Sequence, residues 1–246
     1  MLNDWIVPDW PAPANVRAVS TTRSGGVSSG VYASLNLGAH VGDSADAVDE
    51  NRRRVRNTLN LSVEPRWVKQ VHSAHIVQLD GSAVTEPCDA AFTHRAGETC
   101  VIMTADCLPV LFCDRAGKTI AAAHAGWRGM ATGILETTVA AMQVPAHELL
   151  AWLGPAIGPG AYEVGEEVRV VLIKEHPETD EAFEPTGTGK WLCNLYLLAS
   201  QRLRYAGIKH VYGGGFCTFS EPERFFSYRR DGECGRMGTL IWLAST

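Results

Sequence analysis

Short apolar runs separated by polar residues mark the middle of the chain. Three of them are bounded by polar or turn-forming residues: Val101–Met103, Pro109–Cys113 and Thr119–Ala123. Runs of this length with such borders predict buried strands. Cys107 and His124 each lie where one of these strands is expected to stop. The ends of strands are the usual place for chemistry in layered α/β folds, so this stretch is the first candidate site.

Similar patterns predict the remaining elements. Short apolar or alternating segments predict strands at residues 16–22, 67–71, 75–79, 88–93, 149–153, 208–212 and 239–243. Apolar residues at helical spacing predict helices at residues 45–59, 130–142, 164–174 and 192–206. The proline-containing residues 1–15 are expected to be extended, and the polar residues 178–190 are expected to form a surface loop. Because strands and helices intermix, the expected class is α+β or mixed α/β, with mixed rather than purely parallel sheets.

Composition and charge are those of an ordinary globular protein. Of the 246 residues, 46% are hydrophobic and 20% are charged, and the formal net charge is -5. A general nucleic-acid binder would normally be basic, so that class is not expected, but the charge leaves room for a small anion in a local basic pocket. No apolar run approaches the length of a membrane span, and residues 1–16 lack the basic and apolar regions of a secretory signal. The seven cysteines include no Cys-x-x-Cys pair, which favours a reducing, cytoplasmic location.

Three side chains with metal-ligating chemistry lie at predicted strand ends: His72, Cys107 and His124. Two imidazoles and one thiolate suit Zn²⁺ and leave a fourth position for water or substrate. Their separation matches no short metal-finger spacing, so a second interpretation stays open, in which the thiol is simply buried and the imidazoles are structural. Asp106 and Thr104 favour a functional site, because polar groups inside an apolar run are costly to bury without partners.

Basic residues beside glycine-rich turns suggest an anion site. Arg23 precedes a glycine/serine loop at residues 24–30, whose backbone N–H groups could face an anion. Arg128 lies in Gly126–Gly129, at the expected start of a helix, where N–H groups favour negative charge. Arg229 could supply further charge. For each arginine the alternative is a structural role, in a surface turn or an ion pair.

Several motifs resemble the YfiH-type, laccase-domain family, and the resemblance runs from about residue 20 to the C-terminus. They are Thr21–Ser28, Ser34–Leu37, Gln70–His72, Thr104–Val110, His124–Gly129 and Phe226–Gly232. Bacterial members of the family are variously called polyphenol oxidase, purine nucleoside phosphorylase or peptidoglycan editing factor. The resemblance implies that residues 1–246 form a single domain of this type.

The resemblance also implies a fold, a metal and an activity. The fold would be a compact four-layer α/β/β/α-type sandwich. The family's metal-site residues correspond here to His72, Cys107 and His124, which would bind zinc, with copper as a possible alternative. The implied reactions are phosphorolysis of adenosine, inosine, guanosine and methylthioadenosine, together with deamination of adenosine.

Copper oxidation of phenols, which is also attributed to the family, ranks low for this chain. The sequence lacks the His-x-His pairs and the axial methionine arrangement expected of a multicopper site. Two positions depart from the family pattern. Asn194 stands where an acidic residue is expected, and Cys234 stands where threonine is expected. Both departures put local packing in doubt more than the metal ligands.

The leading hypothesis is therefore a cytoplasmic zinc enzyme that cleaves purine nucleosides with phosphate. The expected substrate-binding residues are Arg23, Asn36, Arg128 and Arg229, with phosphate among Arg23, Arg128 and backbone N–H groups. No nucleic-acid or membrane partner is expected, and the protein is expected to be a monomer or a weak homo-oligomer. The first rival is a metal-free amide hydrolase acting on peptidoglycan precursors, with Cys107 as nucleophile and His124 as base. The second rival is a binding protein with a degenerate site.

Overall fold

The computed structural model describes residues 4–244, so residues 1–3 and 245–246 of the expected domain lie outside the described range. The strands are β1 (Val16–Ser20), β2 (Arg66–Trp67), β3 (Ile76–Gln78), β4 (Ala90–Thr93), β5 (Thr99–Thr104), β6 (Leu108–Asp114), β7 (Ile120–Ala125), β8 (Leu149–Leu153), β9 (Glu163–Gly165), β10 (Phe183–Gly187), β11 (Lys190–Cys193), β12 (His210–Gly213) and β13 (Met237–Leu243). The α-helices are α1 (Ala45–Thr58), α2 (Trp127–Ala131), α3 (Ile134–Ala141), α4 (Glu166–Ile173), α5 (Leu195–Tyr205) and α6 (Tyr228–Asp231). Within residues 4–244, no helix is long and apolar enough to cross a bilayer.

Two larger sheets and one small sheet organise these strands. The first sheet has the order β1-β13-β5-β2, and its pairs are antiparallel except for β2 with β5. The second sheet has the order β12-β8-β6-β7-β4-β3, with parallel pairs at its two edges and antiparallel pairs between them. The small sheet, β10-β11-β9, is antiparallel. The two larger sheets are therefore mixed, as the sequence predicts.

Three buried clusters show how the layers stack. Ile102 of β5 and Leu111 of β6 belong to one cluster, which fills the space between the first and second sheets. On the other face of the first sheet, Val55 of α1 joins a cluster with residues of β1, β5 and β13. On the other face of the second sheet, Leu203 of α5 joins a cluster with β6, β7, β8 and α3. The order helix, sheet, sheet, helix confirms the expected four-layer sandwich.

The helix predicted over residues 130–142 is divided in two and begins earlier. Its first part, α2, starts at Trp127, separated from β7 by Gly126 alone. Gly133 follows α2 with a φ of +86°, in the left-handed region that favours glycine. That conformation interrupts the helical hydrogen-bond pattern, and α3 then begins at Ile134.

The surface loop predicted at residues 178–190 contains regular structure. A 3₁₀-helix spans Pro177–Ala182, and the hairpin of β10 and β11 follows it. Most of β10 is exposed to solvent, which explains why this segment is polar. The next helix starts later than expected, because the side chain of Asn194 accepts a hydrogen bond from the backbone N–H of Leu197 and caps α5 at that point.

The strand predicted at residues 67–71 ends after Trp67, and beyond it the side chain of Gln70 bonds to β5 in place of the backbone. The amide of Gln70 donates to the Met103 carbonyl and accepts from the Met103 N–H, both at 2.8 Å. These two bonds attach the loop after β2 to the edge of β5. The loop that carries His72 is thereby held beside the end of β5.

Candidate metal centre

The fold brings together His72, Cys107 and His124 from three separate segments. His72 lies in the loop before β3, Cys107 in the turn between β5 and β6, and His124 near the end of β7. One ligand atom from each lies within 4.8 Å of the others. The thiol sulfur lies 3.9 Å from Nε2 of His72, and the two imidazole centroids are 4.7 Å apart. A metal ion of ordinary size could contact all three atoms after small side-chain movements.

The turn that carries Cys107 is held by Asp106. The φ of Asp106 is +89°, and its carbonyl accepts a hydrogen bond from the N–H of Ile157. Its buried carboxylate accepts from the hydroxyl of Thr218 and from the N–H of Arg229, each at 2.6 Å. The polar residue that the sequence marks as costly to bury therefore has partners, and these bonds join the Cys107 turn to α6.

A second buried carboxylate, Asp89, is absent from the site residues that the sequence predicts. It precedes β4, is fully buried, and accepts a hydrogen bond at 2.8 Å from Nδ1 of His124. The available signal was the same as at Asp106: a carboxylate at the edge of a buried apolar run. The bond leaves Nε2 of His124 free for ligation, an arrangement common in metal sites.

The thiol and the imidazoles change each other's proton affinity. Burial raises the pKa of Cys107, but His124 and His72 beside it outweigh burial and lower that pKa to about 6. Burial lowers the pKa of His124, but the Cys107 thiolate and Asp89 outweigh it and raise that pKa to about 9. Without a metal, each of the two groups therefore favours the charged form of the other. The thiolate form is also the form that ligates metals.

A cavity of about 450 Å³ opens over the three residues. Its aromatic walls are Trp127, Tyr162 and Tyr228. Its basic lining consists of His40, Arg128, Arg229 and Arg236. Aromatic faces beside cationic groups suit a ligand that carries both a flat ring and an anionic group.

The three arginines of the cavity have no carboxylate partner among the residues that the structure describes. Arg128 stacks on Trp127, with its guanidinium carbon 4.4 Å from the ring centroid, and Arg229 lies 5.1 Å over Tyr162. Arg236 donates to the Cys234 carbonyl at 2.8 Å. In the described part of the chain, none of the three forms an ion pair within 4.0 Å. Their positive charge is available to an anionic ligand.

The other two candidate substrate residues lie elsewhere: among residues 4–244, the cavity lining includes neither Arg23 nor Asn36. Arg23 donates to the carbonyls of Ala33 and Pro222, both at 3.0 Å. Asn36 is fully buried, and its side-chain oxygen accepts from the N–H of Arg236 at 2.9 Å. Asn36 thus contacts the segment that carries a cavity arginine.

Comparison with known proteins shows the family to which the chain belongs. The family described as multi-copper polyphenol oxidoreductase laccase matches residues 17–244. The chain belongs to this YfiH-type laccase-domain family. It is 54% identical over 243 residues to the purine nucleoside phosphorylase PA4543 of Pseudomonas aeruginosa, covering 98% of this chain and 99% of the relative. It is 50% identical over 239 residues to the purine nucleoside phosphorylase YfiH of Escherichia coli, covering 97% of this chain and 98% of the relative.

Solved structures of laccase-domain proteins agree with the fold. The Neisseria meningitidis protein NMB0706 is 50% identical and superposes with a TM-score of 0.94, covering 99% of this chain and all of its own. YlmD from Geobacillus stearothermophilus is 35% identical with a TM-score of 0.89, covering 96% of this chain and 94% of its own.

Proposed function

We propose that this protein is a metal-dependent purine nucleoside phosphorylase. The proposed substrates are adenosine, inosine, guanosine and methylthioadenosine, with deamination of adenosine as a side activity. The observation that carries the proposal is the set of three arginines, none ion-paired among residues 4–244, in the same cavity as the His72, Cys107 and His124 cluster. The names of relatives at about half identity support it.

The proposed metal ligands are His72, Cys107 and His124. Two imidazoles and one thiolate form a three-residue set of the kind found in catalytic zinc sites, with a fourth position left open. The same donors also suit copper, but the sequence lacks the His-x-His pairs of a multicopper centre. When bound, zinc would supply a Lewis acid or a water of lowered pKa.

The arginines provide the proposed phosphate site. Arg128 and Arg236 line the cavity with His40, and their guanidinium groups suit bidentate contact with an oxyanion. Arg23, the phosphate contact expected from the sequence, donates to two backbone carbonyls and lies outside this lining, so Arg128 and Arg236 are the proposed contacts.

The aromatic walls provide the proposed purine site. Trp127 and Tyr162 offer ring faces on which a purine can stack. Burial, together with the Cys107 thiolate, raises the pKa of Tyr162, so its hydroxyl stays protonated and can donate a hydrogen bond at neutral pH. In phosphorolysis, a phosphate oxygen bonds to C1′ of the sugar while the bond from C1′ to the purine nitrogen breaks, and the purine leaves with a proton. Holding phosphate close to C1′ is the main requirement, because the transition state resembles a sugar cation.

Chromatographic product analysis tests the proposed activity. Adenosine with phosphate should give adenine and ribose 1-phosphate, and adenosine without phosphate should give inosine slowly. Arg128→Ala and Arg236→Ala should raise the KM for phosphate roughly 10-fold or more, since hydrogen bonds to charged groups contribute about 1.5–3 kcal/mol. Arg204→Ala is the matched control, because Arg204 is an exposed arginine of α5 outside the cavity lining. Absence of turnover at high enzyme concentration would refute the activity, and an unchanged phosphate KM would refute the phosphate site.

One observation favours a second function, a Cys/His amide hydrolase. Asp89, His124 and Cys107 form a series in which the carboxylate orients the imidazole and the imidazole faces a thiol of lowered pKa. In cysteine hydrolases the same three groups serve as nucleophile, base and orienting group, which would be Cys107, His124 and Asp89 here. Such an enzyme would have no need for His72, whose Nε2 lies 3.9 Å from the thiol sulfur. The phosphorylase is preferred because it gives a role to both imidazoles.

A further inference from the structure

Asp89 lies between the two segments that carry the histidines of the candidate metal centre. It immediately precedes β4, and no part of its surface is exposed. Its backbone N–H donates to the carbonyl of His75 at 2.9 Å, and its carbonyl accepts from the N–H of His124 at 2.7 Å. The backbone of Asp89 is therefore hydrogen-bonded both to the loop that follows His72 and to β7.

The side chain of Asp89 accepts five hydrogen bonds, which divide between the same two segments. Oδ1 accepts from the N–H of His72 at 2.9 Å and from Nδ1 of His124 at 2.8 Å. Oδ2 accepts from the N–H of Val71 at 3.1 Å. It also accepts from the N–H and the hydroxyl of Ser73, at 2.7 and 2.9 Å. Both carboxylate oxygens are fully used, so no acceptor position is left for water or substrate.

The Asp89 carboxylate stabilises the unusual backbone conformation of His72. Its φ is +61°, in the left-handed region that a residue with a side chain rarely adopts. Val71 and His72 are exposed and lie outside the strands, so apolar packing contributes little to holding them. Three successive N–H groups that converge on one anion stabilise this type of conformation. The position of the His72 ring beside the thiol therefore depends on the charge of Asp89.

The ring of His124 depends on the same carboxylate in a different way. The hydrogen bond to Oδ1 fixes the proton on Nδ1 and directs Nε2 toward Cys107 and His72. A carboxylate on the far nitrogen also makes a ligating imidazole more basic. One oxygen atom, Oδ1, thus contacts both histidines directly.

We propose that Asp89 is the positioning residue that sets the geometry of the metal centre, because its single carboxylate orients both His72 and His124. This assignment rests on the proposed metal centre. Asp89 touches neither metal nor substrate in this role. It acts by fixing the backbone of one ligand and the ring orientation of the other.

Replacing the carboxylate by an amide tests the assignment. Asp89→Asn keeps the size of the side chain but places an NH₂ group against either His124 Nδ1–H or the N–H groups of residues 71–73. We expect Zn²⁺ affinity, measured by competition with a chromophoric chelator, to fall roughly 10- to 100-fold. Asp114→Asn is the matched control, because Asp114 is also buried and accepts two backbone N–H groups, in the turn between β6 and β7. The control should bind Zn²⁺ as the unmodified protein does.

Two spectroscopic measurements separate positioning from a purely structural role. The visible spectrum of the Co²⁺-loaded protein should change in Asp89→Asn and stay unchanged in Asp114→Asn, because it reports ligand geometry and not the amount of folded protein. In the Zn²⁺-loaded unmodified protein, ¹⁵N NMR of the histidines should show His124 protonated at Nδ1. This measurement decides the question even if Asp89→Asn does not fold.

The outcomes distinguish the assignment from the proposal beneath it. A folded Asp89→Asn protein with unchanged Zn²⁺ affinity and Co²⁺ spectrum would overturn the role of Asp89 alone. In the Zn²⁺-loaded unmodified protein, a proton on Nε2 of His124 with none on Nδ1 would do the same. Failure of the unmodified protein to bind either Zn²⁺ or Co²⁺ would overturn the metal centre itself, and the role of Asp89 would fall with it.

Discussion

The imidazoles of His72 and His124 approach one thiol but differ in their surroundings. His72 is exposed, whereas His124 is buried and bonded to Asp89. A shared metal would make the two equivalent in function despite this difference. A nucleophilic thiol with one base would make only His124 essential.

A double-mutant cycle on the two histidines separates these possibilities. If both ligate one metal, His72→Ala and His124→Ala should each lower phosphorolysis and deamination together, by more than about 100-fold, because each removes part of the same centre. The double variant should be little worse than either single one, since residues that act as a unit are not additive. Both reactions should be assayed in the same preparations, with folding checked by circular dichroism.

His147→Ala is the control for this cycle, because His147 is an exposed histidine outside the cavity lining. An active His72→Ala protein without bound metal would contradict the metal centre and favour the hydrolase.

Single residues show how far sequence reasoning reaches into the site. The sequence marks His72, Cys107 and His124 by their ligand chemistry near predicted strand ends, and the family resemblance is what groups them as a metal set. Asp89 carries the same kind of signal, but its five acceptor bonds depend on contacts that only folding creates. Arg23 has the right chemistry for phosphate, but it lies outside the cavity lining, and its sequence neighbourhood does not reveal that position.

At the scale of elements, the junction between β7 and α2 controls the space around the three ligands. Gly126 connects the two, and a Cβ added there would lie 2.9 Å from the Cys107 sulfur and 3.3 Å from Cδ2 of His72. Its φ of -71° and ψ of 163° are accessible to any residue. The reason for glycine at this position is therefore the close approach of the ligands and not the backbone conformation.

Gly126→Ala should weaken the metal centre without unfolding the protein. The added methyl group must push apart the thiol and the His72 ring, and we expect Zn²⁺ affinity to fall about 10-fold or more, since site geometry must be held within about 0.5 Å. Chelator competition measures the affinity, and thermal unfolding measures stability. Gly160→Ala is the matched control, because a Cβ there meets no atom within 4 Å. Equal Zn²⁺ affinity in both variants would show that the cluster tolerates the methyl group.

The elements differ in how well the sequence predicts them. The buried strands β5 to β8 are recognisable because continuous apolar runs with polar borders have few other uses. The break between α2 and α3 at Gly133 is harder to predict, since a glycine within a helical pattern can adopt either a helical or a positive φ. The hairpin of β10 and β11 is not predicted from the sequence, because strands exposed to solvent lack an apolar run.

At the scale of the molecule, the four-layer sandwich divides the seven cysteines into two groups. All seven are free: Cys107 and Cys217 are partly exposed, and the others are buried in the layers. Burial raises the pKa of each buried thiol, so these remain protonated at neutral pH. Burial also opposes ionisation of Cys217, but hydrogen bonds with Ser220 and from the N–H of Gly158 lower its pKa overall.

Alkylation should follow this division. Iodoacetamide reacts with thiolates, so at pH 7 it should label Cys107 and Cys217 in the folded, metal-free protein and spare the five buried cysteines. Zn²⁺ should protect Cys107 and leave Cys217 reactive. Peptide mass spectrometry locates the labels, and labelling in denaturant provides the control in which every thiol reacts. Equal labelling of Cys107 with and without Zn²⁺ would argue that its sulfur is not a ligand.

The proposed ligands and part of the cavity wall come from distant parts of the chain. His72, Cys107 and His124 lie in its first half or just beyond it, whereas Tyr228, Arg229 and Arg236 lie close to its end. Substitutions in the late segment can therefore reshape what enters the cavity while the metal donors stay in place. Changes confined to this late segment would therefore alter the proposed substrate cavity and leave the proposed metal donors untouched, which is one way in which a single fold can carry different activities.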